Sequence, residues 1–248
     1  MTAFGVPEIA AAVAGAGSVL DAGCGSARLT VALADAGAAE VVGIDTSLER
    51  LEQGRARLST HPRGPSVKLM AADFDRLLPF PEGRFAATVS RLALMIAKDP
   101  IATMRELKRV TATGGRVVTA LWAPVGDNPW FALPRSAAAA VLGPERADYA
   151  RAFGRIGSPD EAAEVHRAAG LTEVRAQSLR QTLDFRDAAA LWTWMTRENG
   201  HVRRLDAGLT DAELAAVLEE LACLAVEHRR ADGSLGLART MTLVTAIA

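Results

Sequence analysis

One stretch decides the fold of this chain: Val19-Leu20-Asp21-Ala22-Gly23-Cys24-Gly25-Ser26-Ala27-Arg28. Its apolar start predicts the end of a buried strand, and the apolar residues that recur at helical spacing after Arg28 predict a helix. Gly23 and Gly25 supply backbone angles that side chains disfavour, so the turn between the two elements can approach a ligand closely. A strand, a glycine turn and a helix in this order typically form a ligand site at the top of a parallel sheet. A plain tight turn is the alternative interpretation.

Strands and helices alternate from this stretch to Trp122. Further strands are predicted at residues 41–45, 67–71, 85–90 and 116–122, and helices at residues 6–14, 46–58 and 101–110. Thr46 and Glu49 have the spacing of a capping box, and Gly114-Gly115 is predicted to end the last of these helices. This alternation predicts an α/β fold with a mostly parallel sheet and helices on both faces.

The second half of the chain is less regular. Two helical insertions are predicted, at residues 123–157 and 184–230, and together they are expected to form a lid. Strands are predicted at residues 171–179 and 240–247, and the last is expected to be antiparallel because no crossover helix precedes it. Capping boxes at Ser158 and Thr210 predict the starts of two helices. We therefore expect a single domain over residues 1–248, with a core of residues 6–122, 158–179 and 236–248.

Composition narrows the function classes. Half of the 248 residues are hydrophobic, which is enough for one large α/β domain. The formal net charge of −1 favours neither nucleic acid nor an anionic membrane, and the basic clusters Arg203-Arg204 and His228-Arg229-Arg230 are interpreted as solvated helix ends. Two cysteines make no disulfide framework, and no leader or membrane span is recognised. We expect a cytoplasmic protein, with a homodimer among the expected assemblies.

Three carboxylates are predicted at the ends of neighbouring strands, at Asp21, Asp45 and Asp73. The ligand crevice of an open α/β sheet lies outside the carboxyl ends of its strands, so we expect these side chains to converge there. The alternative for each is that it caps the following helix or turn.

The sign of these side chains indicates the ligand. Asp45 follows Gly25 at the distance typical of an acid that binds ribose hydroxyls. Asp21 is an unfavourable neighbour for a pyrophosphate, and Arg28 stands where a dinucleotide motif has its third glycine, so a nicotinamide-dependent oxidoreductase is disfavoured. An adenosine compound with a positive centre and no phosphate fits three acids better, and S-adenosylmethionine is such a compound.

The chain resembles class I S-adenosylmethionine-dependent methyltransferases, in the branch of ubiquinone and menaquinone methyltransferases and small natural-product methyltransferases. The residues that carry the resemblance are 19–25, 42–45, 72–74, 78–80, 106–110 and 113–116. The resemblance implies a Rossmann-like seven-stranded sheet whose last strand is antiparallel. It also implies that S-adenosyl-L-methionine is the cofactor.

The resemblance assigns the cofactor contacts to Asp21, Gly23, Gly25, Asp45, Thr46, Asp73, Phe74 and Arg91. The two glycines would face the methionine part of the cofactor, and Asp45 would hold the ribose. Asp73 would hold the adenine amine, while Phe74 would supply a backbone contact beside the ring. Arg91 would lie near the methyl-transfer centre; the alternative is an ion pair with Asp99 or Glu106.

The chain departs from the family pattern in four places. Ala27 replaces a small glycine, Ala86 replaces an aspartate, Leu94-Met95 replaces a histidine, and the segment before the first strand is short. The last two departures bear on catalysis and on how the cofactor is covered. No catalytic base is assigned, since the polar residues of the insertions offer no clear candidate; they are Asp127, Tyr149, Glu198 and His201. No cluster of metal-ligand residues is recognised, so no metal is expected.

The aromatic residues suggest the acceptor. The four tryptophans lie in or beside the two insertions, at positions 122, 130, 192 and 194, and Phe131, Tyr149, Phe153 and Phe185 accompany them. They either pack the insertions together or line an apolar pocket for a substrate. The expected function is methyl transfer to a small apolar or aromatic molecule, at an oxygen, nitrogen or carbon. The alternative is a methyltransferase fold that catalyses another reaction, such as cyclisation, or that only binds the cofactor.

Overall fold

The computed structural model describes residues 3–147 and 156–248. In this part of the chain one sheet is formed by β1 (Ser18–Ala22), β2 (Glu40–Asp45), β3 (Val67–Ala71), β4 (Phe85–Arg91), β5 (Thr111–Trp122), β6 (Thr172–Phe185) and β7 (Leu235–Ile247). The α-helices are α1 (Val6–Ala12), α2 (Arg28–Asp35), α3 (Leu48–Leu58), α4 (Pro100–Val110), α5 (Pro129–Leu142), α6 (Pro159–Ala168), α7 (Ala188–Glu198), α8 (Gly200–Asp206) and α9 (Asp211–Leu224).

The strands have the order β3-β2-β1-β4-β5-β7-β6. The pairs β1–β2, β1–β4, β2–β3 and β4–β5 are parallel, and β7 runs antiparallel to β5 with Met241 opposite Trp122. The predicted fold class and the antiparallel last strand are therefore confirmed. The order reverses between β1 and β4, and ligands of open α/β sheets bind beyond the carboxyl ends of the strands at such a reversal.

The deciding stretch lies in the middle of this sheet. Val19 and Leu20 of β1 are fully buried, because both faces of a central parallel strand are covered. Helix α2 packs against the sheet with Leu29 and Leu33, which are also buried. This burial fixes β1 and α2, and thereby fixes the glycine turn that joins them.

Two of the three predicted capping boxes are confirmed, because Ser158 and Thr210 form the reciprocal hydrogen bonds at the starts of α6 and α9. The third prediction is wrong: Ser47, not Thr46, caps α3 and accepts a hydrogen bond from the amide of Arg50. The carboxylate at the end of β2 accepts a hydrogen bond from the Ser47 amide, which places Thr46 inside the turn. Thr46 is exposed there.

The start of β5 also differs from the prediction. Helix α4 ends at Val110, and Gly114-Gly115 lies within β5, where its register against β4 shifts. A Cβ on Gly115 would lie 2.8 Å from the carbonyl oxygen of Ala86. The carbonyl oxygen of Ala112, in the same strand, would lie 2.7 Å from that Cβ. The glycine is therefore needed for close backbone packing at the register shift rather than for the end of a helix.

The described residues divide into two compact units. The sheet unit contains residues 3–122, 156–179 and 241–248, and the helical unit contains residues 123–147 and 180–240. No helix among these residues has the length and apolar composition needed to cross a membrane.

An aromatic cluster fills part of the helical unit. The ring centroid of Trp194 lies 5.6 Å from that of Trp130 and 5.6 Å from that of Phe185, with edge-to-face geometry in both pairs. Trp130 and Trp194 come from different predicted insertions, so the alternative in which tryptophans pack the insertions together is correct for this pair. Tyr149 and Phe153 lie outside the described residues.

Asn128 holds the start of the helical unit. Its fully buried side chain donates hydrogen bonds to the carbonyl oxygens of Ala123 and Thr240, both at 3.1 Å. Its amide oxygen accepts from the Thr240 amide and from the indole of Trp130, both at 2.9 Å. A side chain that satisfies several buried backbone groups in this way fixes where α5 begins.

Candidate active site

The glycine turn after β1 has the strained backbone that its sequence predicts. Gly23 has a φ of 78° and Gly25 a φ of 53°, both in the left-handed region that favours glycine. The amides of Gly23 and Cys24 donate to the carbonyl oxygen of Ile44 at 2.8 and 2.9 Å. Ala27 also has a left-handed backbone, with a φ of 61°. The turn therefore keeps its shape although an alanine replaces the small glycine of the family pattern at this position.

Asp45 connects this turn to the end of β2. One carboxylate oxygen accepts from the Gly25 amide at 2.8 Å, and the other accepts from the Ser47 amide at 2.9 Å. The side chain is buried, with 8 % of the residue exposed. The alternative that Asp45 caps the following turn is therefore correct, because the Ser47 amide donates to its carboxylate. Each carboxylate oxygen can accept further hydrogen bonds, so the same side chain can also bind a ligand.

Asp21 is the most deeply buried acid of the site, with 1 % of the residue exposed. Its carboxylate accepts a hydrogen bond from the Thr30 hydroxyl at 2.7 Å. Burial raises the pKa of Asp21 to about 7; the Thr30 hydrogen bond and the Arg91 charge oppose this shift, whereas the charge of Asp45 adds to it. A neighbouring cationic ligand would stabilise the ionised form of this carboxyl group.

Asp73 and Phe74 lie in the loop after β3, which the hydrogen bond from the Ala72 amide to the Asp45 carbonyl oxygen joins to the end of β2. The Asp73 carboxylate accepts from the Asp75 amide at 3.0 Å and lies 3.3 Å from the guanidinium of Arg76. The Phe74 ring comes within 3.5 Å of the place where a Cβ on Gly23 would stand. The structure thus brings this loop to the glycine turn.

Arg91 ends β4 and is partly buried. Its Nε donates to the carbonyl oxygen of Phe4 at 3.0 Å. Burial lowers the pKa of Arg91, and the neighbouring Asp21 carboxylate opposes that change. The alternative ion pairs are wrong, because Asp99 accepts from the first amides of α4 and Glu106 pairs with the guanidinium of Arg109.

Two residues of the site were not predicted. Leu92 has a φ of 60°, and this left-handed turn carries Ala93 towards the glycine turn. A Cβ on Gly23 would lie 2.3 Å from the Cβ of Ala93, a distance that real Cβ atoms essentially never show. The sequence carries no signal for the turn at Leu92 and Ala93, because neither of these residues is a glycine or proline.

Cys24 packs within the turn, as predicted. Its sulfur would lie 3.0 Å from a Cβ on Gly43, so the thiol fills the space that this glycine leaves. Burial raises the pKa of the Cys24 thiol, which disfavours the nucleophilic thiolate. Cys24 is therefore a packing residue.

The polar residues considered as candidate bases differ in their surroundings. Asp127 and His201 are exposed, and His201 contacts Arg204 on the same helix at 3.0 Å. Glu198 is partly buried, and Tyr149 lies outside the described residues. Within the described part of the chain, no group of three or more His, Cys, Asp or Glu is placed to hold a metal ion.

The family model for a methyltransferase domain matches residues 20–119 of the chain. A demethylmenaquinone methyltransferase of Mycobacterium sp. (strain KMS) is 34% identical over 172 residues, which are 65% of this chain and 70% of the relative. An uncharacterized methyltransferase of Schizosaccharomyces pombe is 34% identical over 105 residues, which are 40% of this chain and only 37% of that longer relative.

The chain belongs to the class I S-adenosylmethionine-dependent methyltransferases.

Solved structures of low sequence identity show the same fold as this methyltransferase. The YcgJ protein of Bacillus subtilis superposes with a TM-score of 0.65 and 17% identity, covering 99% of this chain and 98% of that one. A geranyl diphosphate methyltransferase in complex with S-adenosylmethionine has a TM-score of 0.55 and 20% identity, covering 98% and 83%. The [4+2]-cyclase SpnF has a TM-score of 0.57 and 18% identity, covering 98% and 79%.

S-adenosylmethionine is the cofactor of this methyltransferase, and the residues of the site suit it. The glycine turn lets a ligand approach the backbone, and Asp45 offers acceptor oxygens beside it. Asp21 adds a buried carboxyl group whose ionised form a sulfonium would stabilise. The predicted family, cofactor and enzyme class are therefore confirmed.

Proposed function

We propose that this methyltransferase transfers a methyl group to a small apolar or aromatic molecule. The observation that carries the proposal is the arrangement of Asp21 and Asp45 around the glycine turn, which combines acceptor oxygens with a buried acid and suits a phosphate-free cationic nucleoside. The relation to a demethylmenaquinone methyltransferase supports a small acceptor with a ring system.

In this proposal the residues that follow β1, β2 and β3 each bind a different part of the cofactor. Gly23 and Gly25 face the methionine part, and Asp45 accepts hydrogen bonds from the ribose hydroxyls. Asp73 accepts from the adenine amine, and the backbone of Phe74 lies beside the ring. Arg91 remains proposed for the neighbourhood of the reacting centre. Thr46 keeps only a peripheral role, since its side chain is exposed and Ser47 caps the helix.

The chemistry makes modest demands on the protein. When bound, the cofactor supplies a methyl group that its sulfonium has already activated for in-line displacement. The chain contributes by holding the acceptor atom behind that methyl group, which alone can supply much of the acceleration. We assign no catalytic base.

Two further features complete the proposal. Cys24 and Cys223 are both free, which supports a reducing compartment, and we propose the cytoplasm. The likeness to a cyclase is a likeness of fold only, so a non-methylating reaction is kept as an outcome of the test rather than as a second function.

We expect calorimetry to show saturable binding of S-adenosylmethionine with one site per chain, and no binding of NADPH. A screen of phenols, quinols, amines and sugars then measures S-adenosylhomocysteine formation. Product with one acceptor class identifies the reaction. Cofactor binding without product from any class would favour the cyclase or scaffold alternative, and binding of NADPH alone would overturn the proposal.

We expect S-adenosylmethionine to bind about tenfold more tightly at about pH 8 than at about pH 6. The pKa of Asp21 is raised to about 7 by burial, so this carboxyl group is mostly neutral at the lower pH. A cation favours its ionised form, so binding releases a proton and strengthens as the pH rises through that pKa. Calorimetric titrations at several pH values measure the change.

S-adenosylhomocysteine and Asp21→Asn are the controls for this pH dependence. The neutral thioether should show a much flatter pH profile, and Asp21→Asn should flatten the profile for S-adenosylmethionine. The raised pKa of Asp21 has the opposite effect on folding, because burial favours the protonated carboxyl group. The contribution of Asp21 to the free energy of unfolding is complete below about pH 4 and is lost as the pH rises through about 7. Equal pH profiles for both ligands would show that Asp21 does not interact with the sulfonium.

A further inference from the structure

Asp75 makes contacts that the proposed cofactor chemistry does not use. One oxygen of its carboxylate accepts a hydrogen bond from the hydroxyl of Thr103 at 2.8 Å. The other oxygen accepts from the backbone amide of Lys98 at 3.2 Å. Thr103 lies on α4 and is buried, with 3 % of the residue exposed. The side chain of Asp75 therefore ties the loop after β3 to the start of α4.

The backbone of Asp75 is joined to Asp73, which the sequence predicts to contact the cofactor. Its amide donates to the carboxylate of Asp73 at 3.0 Å, and Phe74 stands between the two acids. The Phe74 ring in turn lies within 3.5 Å of the position of a Cβ on Gly23. Asp75 thus connects the proposed adenine-side turn, through its backbone amide, with helix α4, through its carboxylate.

The segment that Asp75 contacts also reaches the glycine turn. Lys98 follows the elbow of Leu92 and Ala93, and Ala93 is the residue whose Cβ stands closest to Gly23. The loop after β3 and the loop after β4 both border Gly23. The carboxylate of Asp75 joins the first loop to the second through the Lys98 amide, and to α4 through the Thr103 hydroxyl. Fixing two loops in advance lowers the conformational entropy that a ligand must remove on binding.

We propose that Asp75, held by Thr103, is a positioning residue that sets the Asp73–Phe74 turn for binding the adenosine half of the cofactor. The inference rests on the proposed placement of adenine at that turn. Asp75 does not touch the ligand in this proposal; it acts through Asp73 and Phe74.

The test measures the dissociation constant of S-adenosylhomocysteine by calorimetry for Asp75→Ala and Thr103→Val. We expect both variants to bind about tenfold more weakly than the wild type, since each removes a hydrogen bond to a charged group and loosens the turn. Thr103→Ser keeps the hydroxyl and should stay within about twofold of the wild type. Thr103→Val also covers the case in which Asp75→Ala fails to fold.

Asp99→Ala is the matched control. Asp99 is an exposed carboxylate at the same end of α4, and it accepts from the amides of Ile101 and Ala102 at 3.1 and 3.0 Å. Its loss should lower the melting temperature by a comparable amount and leave the dissociation constant unchanged. A purely structural role of Asp75 would instead make the Asp75→Ala, Thr103→Val and Asp99→Ala proteins bind alike.

A second ligand locates the effect within the cofactor. 5′-Methylthioadenosine carries the adenosine half without the amino-acid half, so the variants should weaken its binding by the same factor. In the ligand-free variants the amides of Asp75 and Lys98 should also exchange their hydrogens faster than in the wild type.

The outcomes are distinguishable. Wild-type protein that binds neither ligand would overturn the proposed function itself. Wild-type binding with unchanged affinity in Asp75→Ala and Thr103→Val would overturn only the inference about Asp75. A loss confined to S-adenosylhomocysteine, with 5′-methylthioadenosine unaffected, would also overturn it, because the acid would then act on the amino-acid half.

Discussion

Gly23→Ala should weaken S-adenosylmethionine binding by about a hundredfold or more. The new Cβ would lie 2.3 Å from the Cβ of Ala93, so either the glycine turn or the loop after β4 must move. The φ of 78° adds the strain of a left-handed residue with a side chain, about 1 kcal/mol. Calorimetry with S-adenosylmethionine measures the loss, and circular dichroism shows whether the variant folds.

Gly15→Ala separates the two causes of this effect. Gly15 has a φ of 80°, but a Cβ there meets no atom within 4 Å, so the variant carries the backbone strain without the clash. It should lose about 1 kcal/mol of folding stability and bind the cofactor normally. Combining Gly23→Ala with Ala93→Gly removes the clashing methyl group and should restore part of the affinity. Normal binding by Gly23→Ala alone would contradict the packing described for this turn.

Asp45→Ala should also weaken cofactor binding by about a hundredfold or more. The substitution removes the acceptors proposed for the ribose hydroxyls, and hydrogen bonds to a charged group contribute about 1.5–3 kcal/mol each. It also removes the hydrogen bonds from the amides of Gly25 and Ser47, which hold the glycine turn against the end of β2. Asp45→Asn keeps one acceptor oxygen, so its affinity for the cofactor should lie between those of the wild type and Asp45→Ala. The dissociation constants of S-adenosylmethionine and S-adenosylhomocysteine measure both effects.

Asp232→Ala is the control for the loss of the hydrogen bond that Asp45 accepts from the nearby Ser47 amide. The carboxylate of Asp232 accepts from the amide two residues later, at Ser234, as Asp45 accepts from Ser47. The control should show a comparable small loss of stability and an unchanged affinity. If Asp45→Ala bound the cofactor as Asp232→Ala does, the assignment of the ribose to Asp45 would be wrong.

The position of the site was predictable because it depends on local patterns. Apolar runs that end in Asp21 and Asp45 mark strand ends, and parallel strands bring their ends to one edge of a sheet. Gly23 was predictable for the same reason, since a positive φ in a tight turn selects for glycine. The cap of α3 was predicted one residue too early, at Thr46. Ser47 caps the helix because the geometry of the neighbouring amides, rather than the residue type alone, decides between two adjacent hydroxyls.

The supporting contacts of the site were not predictable, because they join residues that are far apart in the chain. One hydrogen-bond partner of Arg91 lies 87 residues away, at Phe4, and Asp75 contacts Thr103 across 28 residues. Neither contact follows a helical or strand period. Leu92 is a further case, since the packed elbow imposes on it a left-handed backbone that its residue type disfavours.

The two thiols of the chain differ in their access to reagents. The buried sulfur of Cys24 is shielded within the glycine turn, whereas Cys223 is exposed on α9 in the helical unit. A maleimide dye or spin label would therefore attach at a single position and leave the ligand crevice chemically intact. The native chain thus provides a ready attachment point for reporting motions of α9 by fluorescence or magnetic resonance, without engineered cysteines.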